Sequence, residues 1–184
     1  HYTFMHENLM DMNHQFLHRR TTGKVLPRYL SSRAGDRWME VDYSFARPGD
    51  QPPIGEAVIV GDFRGRAGTA RDLMTVRTEY PYQTLRMWTR GVAPVLSVWL
   101  GYTPIDAAQR RNRTFVVLSV RPPTIPGMLD LAWPVLAWFT NRVFAEDGEI
   151  VEMEQGAHDA QCDAWNQEML PPIRALRKVQ LAWG

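Results

Sequence analysis

Between residues 36 and 46 the side chains alternate. Met39, Val41, Tyr43 and Phe45 face one way, and Trp38, Glu40, Asp42 and Ser44 the other. A period of two predicts a half-buried β-strand. The same pattern predicts strands over 56–63, 72–80, 83–89, 95–103 and 113–120, with Met74, Val76, Thr78 and Tyr80 sharing one face. Arg47-Pro48-Gly49-Asp50, Pro52-Pro53, Arg64-Gly65-Arg66 and the short turn Pro81-Tyr82 punctuate the strands. Links this short favour an antiparallel meander. Residues 27–35 read as an irregular connection, and 104–112 as a polar loop.

The period becomes helical at both ends of the chain. A first helix is expected over 5–19, stopping near Thr21-Thr22-Gly23. A long apolar helix is expected from about 126 through Glu152, carrying Leu129, Leu131, Trp133, Leu136, Trp138, Phe139, Val143 and Phe144. Pro134 either kinks it or marks its first turn. Residues 156–163 read as a polar loop. Pro171-Pro172 then open an amphipathic helix, with Ile173, Leu176, Val179 and Trp183 inward and Arg174, Arg177 and Lys178 outward. Strands grouped apart from helices predict an α+β fold, with the long helix covering the sheet.

The chain of 184 residues is long enough for one domain with a real core, and 45% hydrophobic content excludes a disordered chain. A net charge of +1 and only isolated basic pairs, Arg19-Arg20 and Arg110-Arg111, argue against a nucleic-acid partner. The apolar run 129–144 comes closest to a membrane span, but Asp130 and Arg142 interrupt it and Pro134 sits inside it. A single cysteine, Cys162, excludes an internal disulfide and makes a cytoplasmic compartment the simplest expectation. No signal-peptide pattern opens the chain. It starts at His1, without an initiator Met, shortly before its most distinctive motif, so it is expected to be the C-terminal part of a longer protein.

That motif lies in the first helix. Glu7, Asp11, His14 and His18 follow at steps of four, three and four residues, which puts them on one helical face. His14 and His18 at i and i+4 can converge on one ion. Asp11, one turn earlier, is where a carboxylate that orients a ligating histidine would sit. Leu9, Met10, Phe16 and Leu17 supply apolar surface around the stripe, and a buried polar stripe must be paired or metal-bound.

Two histidines do not complete a site, and with no second cysteine the remaining ligands are carboxylates. Two His and one carboxylate make the set for oxygen-activating non-haem Fe(II). In the long helix Asp147 has Val143, Phe144, Ile150 and Val151 on its own face, which Glu146 shares only in part, while Glu149 and Glu152 point further away. A buried carboxylate there fits a metal ligand, the reading favoured here, and it also fits an ion pair with Arg142 or Arg86.

The run Glu7-Asn8-Leu9-Met10-Asp11-Met12-Asn13-His14-Gln15-Phe16-Leu17-His18 resembles the iron-binding signature of Rieske-type non-haem iron oxygenases, the ring-hydroxylating and O-demethylating family. The run 145–152 resembles the segment that brings that family's third ligand, and Thr103-Pro104-Ile105-Asp106 resembles its O-demethylase-like branch. The resemblance covers nearly the whole chain, as the catalytic domain alone. It implies a helix-grip fold, an antiparallel sheet wrapped around a long C-terminal helix. It implies that His14, His18 and Asp147 bind Fe(II), that Asp11 is the electron-transfer bridge, and that Asn8 lies near the iron. The implied partners are O₂, an aromatic or other ring substrate, a reductase or ferredoxin donor, and two further copies in a homotrimer. One departure is that three residues separate the histidines where many members have four. The other is that a Rieske [2Fe–2S] cluster needs two Cys and two His, so it must lie in a missing N-terminal part or on another chain. Competing functions are a metal-free helix-grip carrier of apolar ligands and a zinc hydrolase, although no His-Glu-x-x-His motif is present.

Overall fold

The computed structural model of the chain describes residues 1–22, 25–46, 72–88, 93–123, 125–161 and 168–183. Strands β1 (Leu26–Ala34), β2 (Trp38–Ala46), β3 (Asp72–Glu79), β4 (Tyr82–Trp88), β5 (Leu96–Pro104) and β6 (Asn112–Val120) form a sheet in sequence order. Every pairing is antiparallel, as the short links require. The fold is therefore the expected α+β meander. The strand expected over 56–63 and the stop at Gly23 lie outside the described residues.

The alternation read in β2 and β3 is the core face. Met39, Val41, Tyr43, Met74, Val76, Val98, Leu100 and Tyr102 are buried and form one cluster with Leu9, Met10, Ile173 and Leu176. Burying each such side chain contributes on the order of 1.5–3 kcal/mol. Met39 and Met74 are buried in this cluster, whereas Trp99 and Phe115 lie exposed on the other side. Gly101 is needed there: the Trp99 ring lies over it, and an added Cβ would come within 2.7 Å of the indole.

Five expectations need correcting. Residues 27–35 are not irregular, since Leu26–Ala34 is the edge strand β1, paired to β2 with a register shift between Tyr29 and Ser31. It is exposed along almost its whole length, so it carries no alternation to read, and an edge tolerates Pro27. The first helix is not continuous. Helix α1 (Thr3–Met10) ends at Asp11, a 3₁₀ turn covers Met12–Phe16, and a short α2 follows at Arg19–Thr22. Asp11 is extended (ψ 110°) and its carboxylate accepts from the Asn13 backbone N–H at 2.7 Å, a local bond that replaces the helical one. Phe16 and Leu17, expected to be apolar cover, are 55% exposed.

The long helix α3 runs Met128–Gln161, through Pro134 and past Gly156, so the part of the expected loop up to residue 161 is helical. A Gln155–Asp159 hydrogen bond of 2.9 Å holds that last stretch, and Arg110 pairs with Asp159 from the β5–β6 loop. Helix α4 (Pro171–Trp183) buries Ile173, Leu176 and Val179 as expected. Trp183 instead lies at the surface, with its indole N–H on the Asp36 carbonyl (3.0 Å) and the Arg37 guanidinium 4.6 Å over its ring. No helix of the described residues is long and apolar enough to cross a membrane.

Candidate metal centre

Three elements bring the site together. His14 comes from the 3₁₀ turn, His18 from the turn before α2, and Asp147 from the middle of α3. All three are buried, and one ligand atom from each lies within 4.8 Å of the others. Among the described residues no other His, Cys, Asp and Glu side chains are so grouped. The two imidazoles stand at right angles with centroids 5.3 Å apart. His18 Nε2 is 3.0 Å from Asp147 Oδ1. That is the edge expected between two ligands at right angles about one ion, with bonds of about 2.1 Å.

Each member is held from behind. His14 Nδ1 donates to the Asp11 backbone carbonyl, which leaves Nε2 to face the cluster. The Asp11 carboxylate, the expected orienting group, is busy capping the 3₁₀ turn, and Asp11 is half-exposed. His18 Nδ1 donates to Glu146 Oε2 at 3.0 Å. Asn8 donates its side-chain amide to Asp147 Oδ1 at 2.8 Å. Asp147 therefore is not the ion-pair partner of Arg142, whose Nε goes to Glu146 Oε1 at 3.1 Å. Glu7, read as part of the same stripe, turns away and takes a two-pronged bond from Arg177 at 2.8 and 2.7 Å.

The electrostatics separate the two histidines. Burial pushes His14 below its ordinary value, against the opposing charge of Asp147. Burial also works against charge on His18, but the bonds to Asp147 and Glu146 outweigh it and raise that pKa. The Thr21 hydroxyl, then His18 and Arg142, hold the Glu146 carboxyl below its usual range. Two imidazole nitrogens and one carboxylate, buried and fixed by outer hydrogen bonds, are a donor set that suits Fe(II) with open positions.

Sequence reasoning missed Glu146 as a partner. It stands at the margin of the apolar face, 15% exposed, whereas the search was for carboxylates at its centre. It also missed a second buried polar group. Gln83 donates to the His6 carbonyl (2.9 Å) and Thr78 Oγ1 (2.6 Å) and accepts from the Tyr102 hydroxyl (2.9 Å). The His6 ring beside it is wholly buried among Tyr2, Tyr80 and Tyr102, with no hydrogen-bond partner for either nitrogen among the described residues.

Residues 1–175 match the family described as vanillate O-demethylase oxygenase C-terminal domain. The chain is similar to a 4β-methylsterol monooxygenase of Methylococcus capsulatus, 26% identical over 192 residues, covering 98% of this chain and 48% of that protein. Its fold is similar to that of dicamba monooxygenase bound to 3,6-dichlorosalicylic acid, with a TM-score of 0.66 and 18% identity, covering 98% of this chain and 55% of that one. The chain thus spans about half the length of each relative.

Proposed function

Because the chain belongs to the vanillate O-demethylase oxygenase C-terminal domain family, we propose that it is the iron-binding catalytic part of a Rieske-type oxygenase. The observation that carries this reading is the buried convergence of His14, His18 and Asp147. When bound there, Fe(II) supplies the activation of O₂ and the insertion of oxygen into the substrate.

The chain's own residues hold and orient. His14 presents Nε2 because the Asp11 carbonyl takes its other nitrogen. Asn8 fixes the Asp147 carboxylate. Burial of all three side chains keeps bulk water from the site. Both relatives are monooxygenases by name, so the favoured reaction adds one oxygen atom to a methyl, methoxy or ring carbon of a ring compound.

The electrons come from a Rieske [2Fe–2S] cluster outside these residues, since one cysteine cannot hold it. That cluster is refilled by a reductase or ferredoxin, in the cytoplasm. Asp11 is the entry point: it touches His14 through its carbonyl yet keeps its carboxylate at the surface. A head-to-tail homotrimer would set a neighbour's cluster against it.

Metal analysis of protein purified without oxygen tests the reading. Iron near one per chain is the expected result. Zinc would favour a hydrolase, and no metal a carrier of apolar ligands.

A further inference from the structure

We infer that Glu146, braced by Thr21 and Arg142, is the residue that positions His18 for the metal. The inference rests on the metal reading above. His14 and His18 are held by different chemistry: one ring rests on a neutral backbone carbonyl, the other on a carboxylate. Glu146 Oε2 takes the His18 Nδ1–H at 3.0 Å, while Oε1 accepts from the Thr21 hydroxyl and from Arg142 Nε at 3.1 Å. Both carboxylate oxygens are thus engaged, and the group cannot rotate without breaking one of these bonds.

The consequence is a fixed tautomer. With the proton on Nδ1 anchored, Nε2 is the ligating atom, and it already faces Asp147. A carboxylate on the far nitrogen also makes the imidazole a stronger donor than a carbonyl would. The two ligands are therefore inequivalent, with His18 the stronger donor. His18 sits in the turn before α2, outside any regular helix, and the Thr21 hydroxyl bond to Glu146 ties the start of α2 to α3.

A plainer role is conceivable, in which Glu146 merely staples α2 to α3. The two roles separate in an anaerobic titration with Co(II), read by calorimetry and by its visible absorption bands, on the full chain. Glu146→Ala should weaken Co(II) binding by about 10–100-fold, the range for an outer partner of a ligating histidine. Glu146→Gln keeps an acceptor for Nδ1–H, so it should restore most of the affinity while shifting the bands, because the charge is gone.

The pair Thr21→Val with Arg142→Met cuts the staple but leaves Glu146 on His18. It should lower the melting temperature with only a small loss of affinity. Equal affinity in wild type and Glu146→Ala overturns the inference, as does an affinity loss in the staple pair as large as that in Glu146→Ala. Where Glu146→Ala fails to fold, unchanged bands in Glu146→Gln overturn it instead. Asp147→Asn keeps the two failures apart. If it binds as well as wild type, the metal reading fails. If it loses binding while Glu146→Ala does not, Glu146 alone is misassigned.

Discussion

His6 should make this protein acid-sensitive well above the ordinary carboxylate range. Its ring is wholly buried against Tyr2, Tyr80 and Tyr102, and among the described residues neither nitrogen has a hydrogen-bond partner. Burial without a counter-charge pushes its pKa from 6.5 down to about 3. In the unfolded chain the ring takes up a proton below about 6.5. The native state refuses that proton until about pH 3. The folded pKa is the lower one, so the contribution is complete above pH 6.5 and drains away as pH falls towards 3. At pH 5 the gap to the unfolded value is about 1.5 units, which costs about 2 kcal/mol. That is a large share of the margin of an ordinary domain. Urea unfolding of wild type and His6→Phe at pH 7 and pH 5 isolates it, because every other titrating group is common to both chains. Wild type should lose about 2 kcal/mol more than the variant over that interval. Phe also removes two unsatisfied buried nitrogens, so at pH 7 the variant should be no less stable than wild type. Parallel losses in the two proteins would refute the reasoning.

Other outcomes follow from the same contacts. Asp147→Asn should lose most of the bound iron, by metal analysis after anaerobic loading, while its circular dichroism stays that of wild type. Asp11→Ala removes the cap on Asn13, at about 1 kcal/mol. In the complete protein it should stop turnover yet leave iron bound, and near-normal turnover would reduce Asp11 to a capping residue. Arg177→Met leaves the buried Glu7 carboxylate without its bidentate partner. It should cost about 2 kcal/mol in a denaturation experiment, the low side for a buried pair because Arg177 is partly exposed. Gln83→Leu removes the amide that joins the His6 carbonyl, the Thr78 hydroxyl and the Tyr102 hydroxyl at once. A loss of about 3 kcal/mol is expected, and under 1 kcal/mol would mean that water replaces the amide.

The sheet was legible where one face is buried and the other is not. Met39, Val41 and Tyr43 alternate with polar residues because the core lies on one side of β2. Strand β1 was not legible, because an edge strand exposed on both faces imposes no period on its residues. The end of α3 failed for a related reason. Past Val151 the helix is almost entirely exposed, so Gly156 and its polar neighbours look like a loop. Propensity alone, with a glycine penalty of about 1 kcal/mol, does not reveal that Asp159 is tied to Gln155 and Arg110.

The candidate metal site is the instructive case, because a partly wrong premise led to residues that do converge. His14 and His18 were expected to converge as i and i+4 of an α-helix, where the two side chains differ by about 40° around the axis. The 3₁₀ turn that carries His14 would place them about 120° apart, pointing away from each other. They converge nonetheless, because the chain leaves the 3₁₀ turn at Leu17 and His18 is drawn onto α3 by Glu146 and Asp147. The helix breaks at Asp11, and that break has its own sequence signal: an Asp that accepts from the backbone two residues on is an N-cap, not an interior residue. Glu7, Asp11 and the histidines were therefore never one stripe. Glu7 belongs to α1 and to Arg177, Asp11 to the break, and the histidines to the turns that follow. Spacing singled out the two histidines, although the segment also buries His6, Glu7 and Asn8, which serve other contacts. Periodicity also marked Asp147 on the apolar face of α3, but it could not supply Glu146 as the partner of His18, which reaches the same point across more than a hundred residues of chain.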